Sequence, residues 1–159
     1  YHDHIHPMIL FLMNTCMRRG EMFNLRWQDV ELNIKRITVV GKTSKTRQTL
    51  DIPLNDEAYT LLDVWKKQTK RNSGLVFVGK NGERFTNIDK AWKVLLRDAK
   101  ICDFRLHDLR HHFASRLVSA GVDLNSVREL LGHSDIKMTL RYAHLAPAHL
   151  SDAVAVLNR

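Results

Sequence analysis

The sequence predicts an α+β fold that is mainly α-helical, with a small antiparallel β-sheet or hairpins on one side. Three observations carry this. Apolar residues recur three and four positions apart along most of the chain, the spacing of a buried helix face. Two stretches, Lys35–Val40 and Thr49–Pro53, instead alternate and hold β-branched residues, with the turn Gly41–Lys45 between them. A second hairpin is signalled by Asn81–Gly82, flanked by Leu75–Val78 and Glu83–Phe85.

The elements follow in order. Ile9, Leu12, Met13 and Cys16 share a helical face, and Pro7 fits that helix's first turn. His2, His4 and His6 precede them with no carboxylate or cysteine at useful spacing, so they read as a polar lead-in rather than a metal site. Gly20 breaks the pattern, which resumes from Glu21 to Trp27. Arg18 and Arg19 sit at that junction with Glu21 close by. Glu21 either forms a structural salt bridge with Arg18 or orients it toward a phosphate. After the first hairpin, Asn55 caps a helix to Lys70 whose apolar face is Ala58, Leu61, Leu62 and Trp65. Asn87–Lys100 is a further amphipathic helix. A helix through Arg105–Ser115 packs by Leu109, Phe113 and Leu117, while His107 and Arg110, three apart, share another face. Gly121 closes that helix, Asp123 caps the next, and Gly132 ends it. Ser134–Ala143 forms a second short helix after a Gly132–His133 turn, superficially a helix-turn-helix. Pro147 opens a last helix in which Leu150, Val154 and Leu157 share a face. A helix so short is marginal alone and must dock, on its own body or on a neighbouring molecule.

With 159 residues and 44% hydrophobic content, the chain suits one domain with a sizeable core, without repeats, low-complexity tracts or an internal boundary. Lys and Arg total 25 against 17 Asp and Glu, a net charge of +8 that favours a polyanionic partner, most simply nucleic acid. No apolar run is long enough to span a membrane. Cys16 and Cys102, two and far apart, make neither a disulfide framework nor a zinc knuckle, so a reducing compartment is the default. The start is polar and not Met, consistent with a piece of a longer protein.

Arg18, Lys42, the His107/Arg110 pair, His133 and Tyr142 remain without a common explanation. Arginine offers a permanent planar fork and histidine a proton near neutral pH, both suited to phosphate. In order and context the segments TCMRRGEMFNLRW, GKTSKTR, HDLRHHFAS and LLGHSDIKMTLRYAHL, with the tail helix, resemble the catalytic domain of tyrosine recombinases, the phage integrase and Xer family. No single motif carries the resemblance; the ordered set does, over essentially the whole chain. It implies a catalytic core like that of type IB topoisomerases, spanning 1–159, with the family's N-terminal core-binding domain absent.

The resemblance further implies site-specific cleavage and rejoining of DNA strands through a 3′-phosphotyrosine, with neither metal nor ATP. Arg18 and Arg110 would clamp the scissile phosphate, His107 accept a proton, Lys42 (rather than Lys45) act as general acid, His133 bond the phosphate, and Tyr142 be the nucleophile. Glu21 and His144 would support them. Implied partners are double-stranded DNA and, on it, further copies in a tetrameric synapse. The isolated domain is expected to be monomeric, its C-terminal helix available to a neighbouring protomer, in the cytoplasm of a bacterial or phage-host cell. Two departures stand out: the family has glycine where Cys16 stands, and threonine or similar at His112.

Two other readings compete. The helices from Asp123 to Ala143 read as a non-catalytic DNA-binding module. His107 and His111, four apart, read as half a zinc hydrolase helix, although Asp108 replaces the expected glutamate and Arg110 would crowd a cation.

Overall fold

The computed structural model describes residues 2–40, 49–79, 81–147 and 154–158. Helix α1 (His2–Thr15) buries Ile5, Met8, Phe11 and Leu12. Pro7 lies inside it rather than in its first turn, because the helix begins earlier than the apolar pattern does. The break expected at Gly20 falls at Cys16, whose backbone is left-handed at φ 51°. Helix α2 (Arg19–Asn24) contains Gly20 and stops before Leu25. The reason is local capping. Arg18 N–H donates to Glu21 Oε2 at 2.7 Å and starts α2, and Arg26 N–H donates to Asp29 Oδ2 at 3.1 Å, drawing Trp27–Asp29 into a separate 3-10 turn.

Three strands form an antiparallel sheet in the order β1 (Val30–Glu31), β2 (Arg36–Val40), β3 (Thr49–Pro53). Ile37 pairs with Ile52, and both side chains are fully buried. Strand β1 is two residues long, too short to leave an alternating pattern in the sequence. Residues 41–48, including Lys42 and Lys45, lie outside the described residues.

The second hairpin does not form as expected. The Asn81–Gly82 turn is present, with Gly82 at φ 75° and Gly79 N–H bonded to Glu83 O at 2.8 Å. Its N-terminal arm pairs elsewhere: Val76 N–H donates to Leu25 O at 2.9 Å, and Trp27 N–H to Gly74 O at 2.9 Å. Val76 and Phe77 are fully buried, so their backbone takes the partner available in the core, not the adjacent arm.

Helix α3 (Asp56–Thr69) starts as the sequence indicates, with Asn55 Oδ1 accepting from Ala58 N–H at 2.8 Å. Helix α4 (Asp89–Asp98) is shorter than its amphipathic pattern. Helix α5 (Asp108–Ser119) begins after His107, because the Asp108 carboxylate accepts from Arg105 N–H at 2.8 Å. The chain divides into two compact units, Tyr1–Phe113 and Ala114–Arg159. The first holds a continuous apolar cluster through α1, β2, β3, α3 and α4. Trp65 Nε1–H, inside it, donates to Val76 O at 2.8 Å. His4 packs edge-on against Trp65, ring centroids 5.4 Å apart, as an aromatic rather than a ligand.

In the second unit, Asp123 caps α6 (Leu124–Leu131) by accepting from Asn125 and Ser126 N–H, and Gly132 ends it at φ 59°. The expected helix over Ser134–Ala143 contracts to α7 (Lys137–Leu140), followed by a 3-10 turn at Ala143–Leu145. Val127, Leu131, Thr139 and Tyr142 are buried. Leu150 lies outside the described residues, and Val154, Val156 and Leu157 are exposed. Among the described residues no helix is long and apolar enough to cross a membrane.

Candidate active site

The first unit brings together the two arginines and the histidine singled out above. Arg18 ends the extended link after Cys16. Its guanidinium donates to Glu21 Oε1 at 2.8 Å while its main chain bonds the other carboxylate oxygen, so one glutamate holds both ends of the residue. The side chain is 46% exposed. The structural salt bridge expected between Glu21 and Arg18 is present.

Arg110 stands otherwise. The apolar stripe of Leu109, Phe113 and Leu117 implied that it faced solvent. Instead Leu109, Arg110, Ala114 and Val118 are the buried positions of α5, and Arg110 is only 5% exposed. The buried face of α5 is therefore rotated about the helix axis relative to expectation. The guanidinium Nη1–H donates to the main-chain carbonyl of Cys16, far away in sequence. A buried arginine requires such a partner.

His107 immediately precedes α5. The residue is exposed, yet desolvation of its ring, and then the positive charge of Arg110, hold the imidazole below the usual histidine range; Arg18 adds to the effect and Asp108 opposes it. Three guanidinium groups, those of Arg110, Arg18 and Arg105, therefore act on one ring. Arg110 and Arg18 also act on Cys16, whose thiol burial pushes up to about 12. His111 lies edge-on to His107, with ring centroids 5.1 Å apart. Among the described residues no group of three or more His, Cys, Asp or Glu side chains could hold a metal ion.

Two hollows flank these groups. One of about 300 Å³ is lined by Arg19, Arg105, His107 and Arg110, with Met17 and Leu109 among its walls. The other, of about 680 Å³, runs from Arg18 and Glu21 to Thr38, Val39 and Val40 on β2. Val40 is the last described residue before the segment containing Lys42. Arg19 and Arg105 were not singled out as site residues. Their carboxylate partners, Asp89 at 3.2 Å and Asp108 at 3.0 Å, give the sequence no mark beyond ordinary surface pairing.

In the second unit, His133 Nδ1 lies 2.9 Å from Thr139 Oγ1. Thr139 is fully buried, and its carbonyl accepts from Tyr142 N–H at 3.0 Å. One threonine thus fixes the histidine ring by its hydroxyl and the tyrosine backbone by its carbonyl. Tyr142 is 6% exposed and His144 is exposed. Thr139 was the missed residue here; only its three-residue spacing to Tyr142 hinted at it. Helix α7 has four residues, barely one turn, so the recognition helix needed by a helix-turn-helix is not formed.

Residues 3–149 match the phage integrase family. The integrase of Salmonella phage P22 is 37% identical over 158 residues, covering 91% of this chain and 40% of the relative. The tyrosine recombinase XerC of Xanthomonas axonopodis pathovar citri is 35% identical over 143 residues, covering 87% of this chain and 46% of the relative. The chain thus spans somewhat less than half the length of these two relatives. Among solved structures, the catalytic domain of bacteriophage HP1 integrase superposes with a TM-score of 0.69 at 28% identity, covering 96% of this chain and 80% of that one. The ordered motifs, the helical fold with its three-stranded sheet and the extent of the match place this chain in the phage integrase family.

Proposed function

We propose that the chain is the catalytic domain of a site-specific DNA recombinase that cuts and rejoins strands through a 3′-phosphotyrosine. The observation that supports it most is that Arg18 and Arg110, remote in sequence, both bear electrostatically on His107. Such a cluster suits the transition state of phosphodiester exchange, where extra negative charge develops on the non-bridging oxygens. Fixed cations aimed at that charge are the main catalytic resource.

In this reading the Tyr142 phenol oxygen attacks the scissile phosphorus. The bond from phosphorus to the 5′-oxygen breaks, and a 3′-phosphotyrosyl ester forms. His107, whose imidazole is held below the usual histidine range, accepts the phenol proton. Lys42, in the segment between β2 and β3, protonates the departing 5′-oxygen. Arg18 and Arg110 bind the non-bridging oxygens, Glu21 steadies Arg18, and His133, steadied by Thr139, hydrogen-bonds the phosphate. His144 supports Tyr142 from the following turn. A second 5′-hydroxyl reverses the step. One ester replaces another, so the chemistry calls for neither ATP nor a divalent metal. The substrate is double-stranded DNA and the assembly a tetramer of copies on it, with the C-terminal segment available to a neighbour and the isolated domain monomeric. The remainder of the parent protein would supply the core-binding domain that clamps the opposite face of the DNA, and the reaction belongs in the cytoplasm of a bacterial or phage-host cell.

A nicked suicide substrate, which loses the leaving strand after cleavage, tests this. The chain should form a covalent DNA adduct on a denaturing gel, peptide mapping should find the modification on Tyr142, and Tyr142→Phe should bind DNA without forming it. DNA binding with no adduct from the native chain would leave only a DNA-binding module. An adduct mapped to Tyr1 or Tyr59 would displace the proposed nucleophile.

A further inference from the structure

We infer that Cys16 is a positioning residue of the strand-exchange site: its left-handed backbone turns the Cys16 carbonyl toward Arg110 and so aims the guanidinium. The inference rests on the proposed role of Arg110.

Several observations lead there. Helix α1 ends at Thr15, and Cys16 follows at φ 51°, a conformation that L residues rarely adopt outside helix ends. The turn takes the Cys16 carbonyl out of the helical ladder, and Arg110 Nη1–H occupies it. The post is firmly set. Thr15 Oγ1–H back-bonds to Phe11 O at 2.7 Å, Asn14 Nδ2–H to Leu10 O at 2.9 Å, and Asn55 ties Asn14 across to α3 at 2.7 Å. Beyond Cys16 the chain is extended at Arg18, with φ −73° and ψ 150°, before Glu21 takes hold of that residue. One backbone turn therefore serves both arginines: its carbonyl meets Arg110, and its exit direction delivers Arg18.

The chemistry of the contact matters as much as its place. A carbonyl is a neutral acceptor, so it restrains the guanidinium fork without cancelling its charge, as a carboxylate would. The Cys16 thiol is fully buried and remains protonated at neutral pH, adding no anion beside the guanidinium groups. What the position demands is a left-handed φ and a small, uncharged side chain. Glycine and alanine meet the demand; β-branched residues oppose the φ.

The test compares Cys16→Gly, Cys16→Ala, Cys16→Thr and Cys16→Val in single-turnover cleavage, alongside DNA affinity and folded fraction at the assay temperature. Glycine and alanine should stay within about threefold of the native rate, while threonine and valine should lose about thirtyfold with affinity nearly unchanged, a fraction of what removing a charge-stabilising donor costs. Threonine, with the smaller change in polarity and size, reads the effect if valine does not fold. The same variants are then assayed with a neutral methylphosphonate at the scissile position, which removes the charge that Arg110 answers. There the β-branched defect should shrink to about threefold, as expected when electrostatic stabilisation is no longer required. Equal defects on both substrates, or no defect on either, would overturn the inference. Arg110→Ala separates the two levels: native cleavage by that variant sinks the functional reading, whereas an impaired Arg110→Ala beside a native Cys16→Thr sinks the inference alone.

Discussion

Arg18 and Arg110 bring the same side chain to one histidine from two unlike regions. Arg18 sits on an exposed turn between helices, paired to Glu21 three residues on. Arg110 lies in the buried face of α5, bonded to a carbonyl on the other side of the sequence. The first arrangement is local and solvated, so it adds little to folding. The second is long-range and dehydrated, so fold and site depend on it together. The like roles proposed for the two arginines therefore go with unlike structural ones.

Arg110→Ala should show the largest effect. Cleavage should drop on the order of a hundredfold or more, and unfolding in denaturant should reveal a loss of about 1–3 kcal/mol as the Cys16 carbonyl loses its partner. Native stability in that variant would break the contrast. Arg110→Lys should recover charge but little rate, because an ammonium lacks the planar fork. Arg18→Ala should cost a similar hundredfold in rate but within about 0.5 kcal/mol of stability, as an exposed pair does. A cooperative loss of both would make its turn structural after all.

Thr139→Val extends the contrast to the second unit. It removes the hydroxyl beside His133 Nδ1 while keeping side-chain volume. The expected loss is about 1 kcal/mol of stability, the worth of one buried hydrogen bond, with a cleavage defect of about tenfold and unaltered DNA affinity. An unchanged rate would detach His133 from the reaction.

The smallest effect on stability concerns His107. Its folded pKa lies below the ordinary value of 6.5, so between the two the unfolded chain binds more protons. Stability should rise with pH across that window, be complete above about 6.5, and fall as the ring protonates in the folded state. His107→Gln should flatten this slope in thermal melts taken from pH 5 to 7, and remove the matching acid limb of the cleavage profile. A slope unchanged by the substitution would assign it to another group.

Much of this was legible in the residues. Caps announced α3 and α6, since Asn55 and Asp123 act on amides only two or three residues away. The β2–β3 hairpin showed in its alternation. The Asn81–Gly82 turn also showed, but its arm paired with residues 25–27, a choice set by burial at a distance. The resemblance expects glycine at position 16, and φ 51° at Cys16 gives the physical reason: the chain needs the conformation that glycine adopts without cost.

By itself, then, the sequence determined the caps of α3 and α6, the β2–β3 pairing, the basic charge and the choice of candidate residues. These rest on periodicity and on contacts between near neighbours. Only the tertiary structure decided that Arg110 belongs to the buried face of α5, that its partner is the Cys16 carbonyl, and that His107 lies under the influence of three arginines. Which face of a helix is buried depends on partners distant in the chain, and a main-chain carbonyl has the same chemistry in every residue, so neither leaves a mark in the order of amino acids.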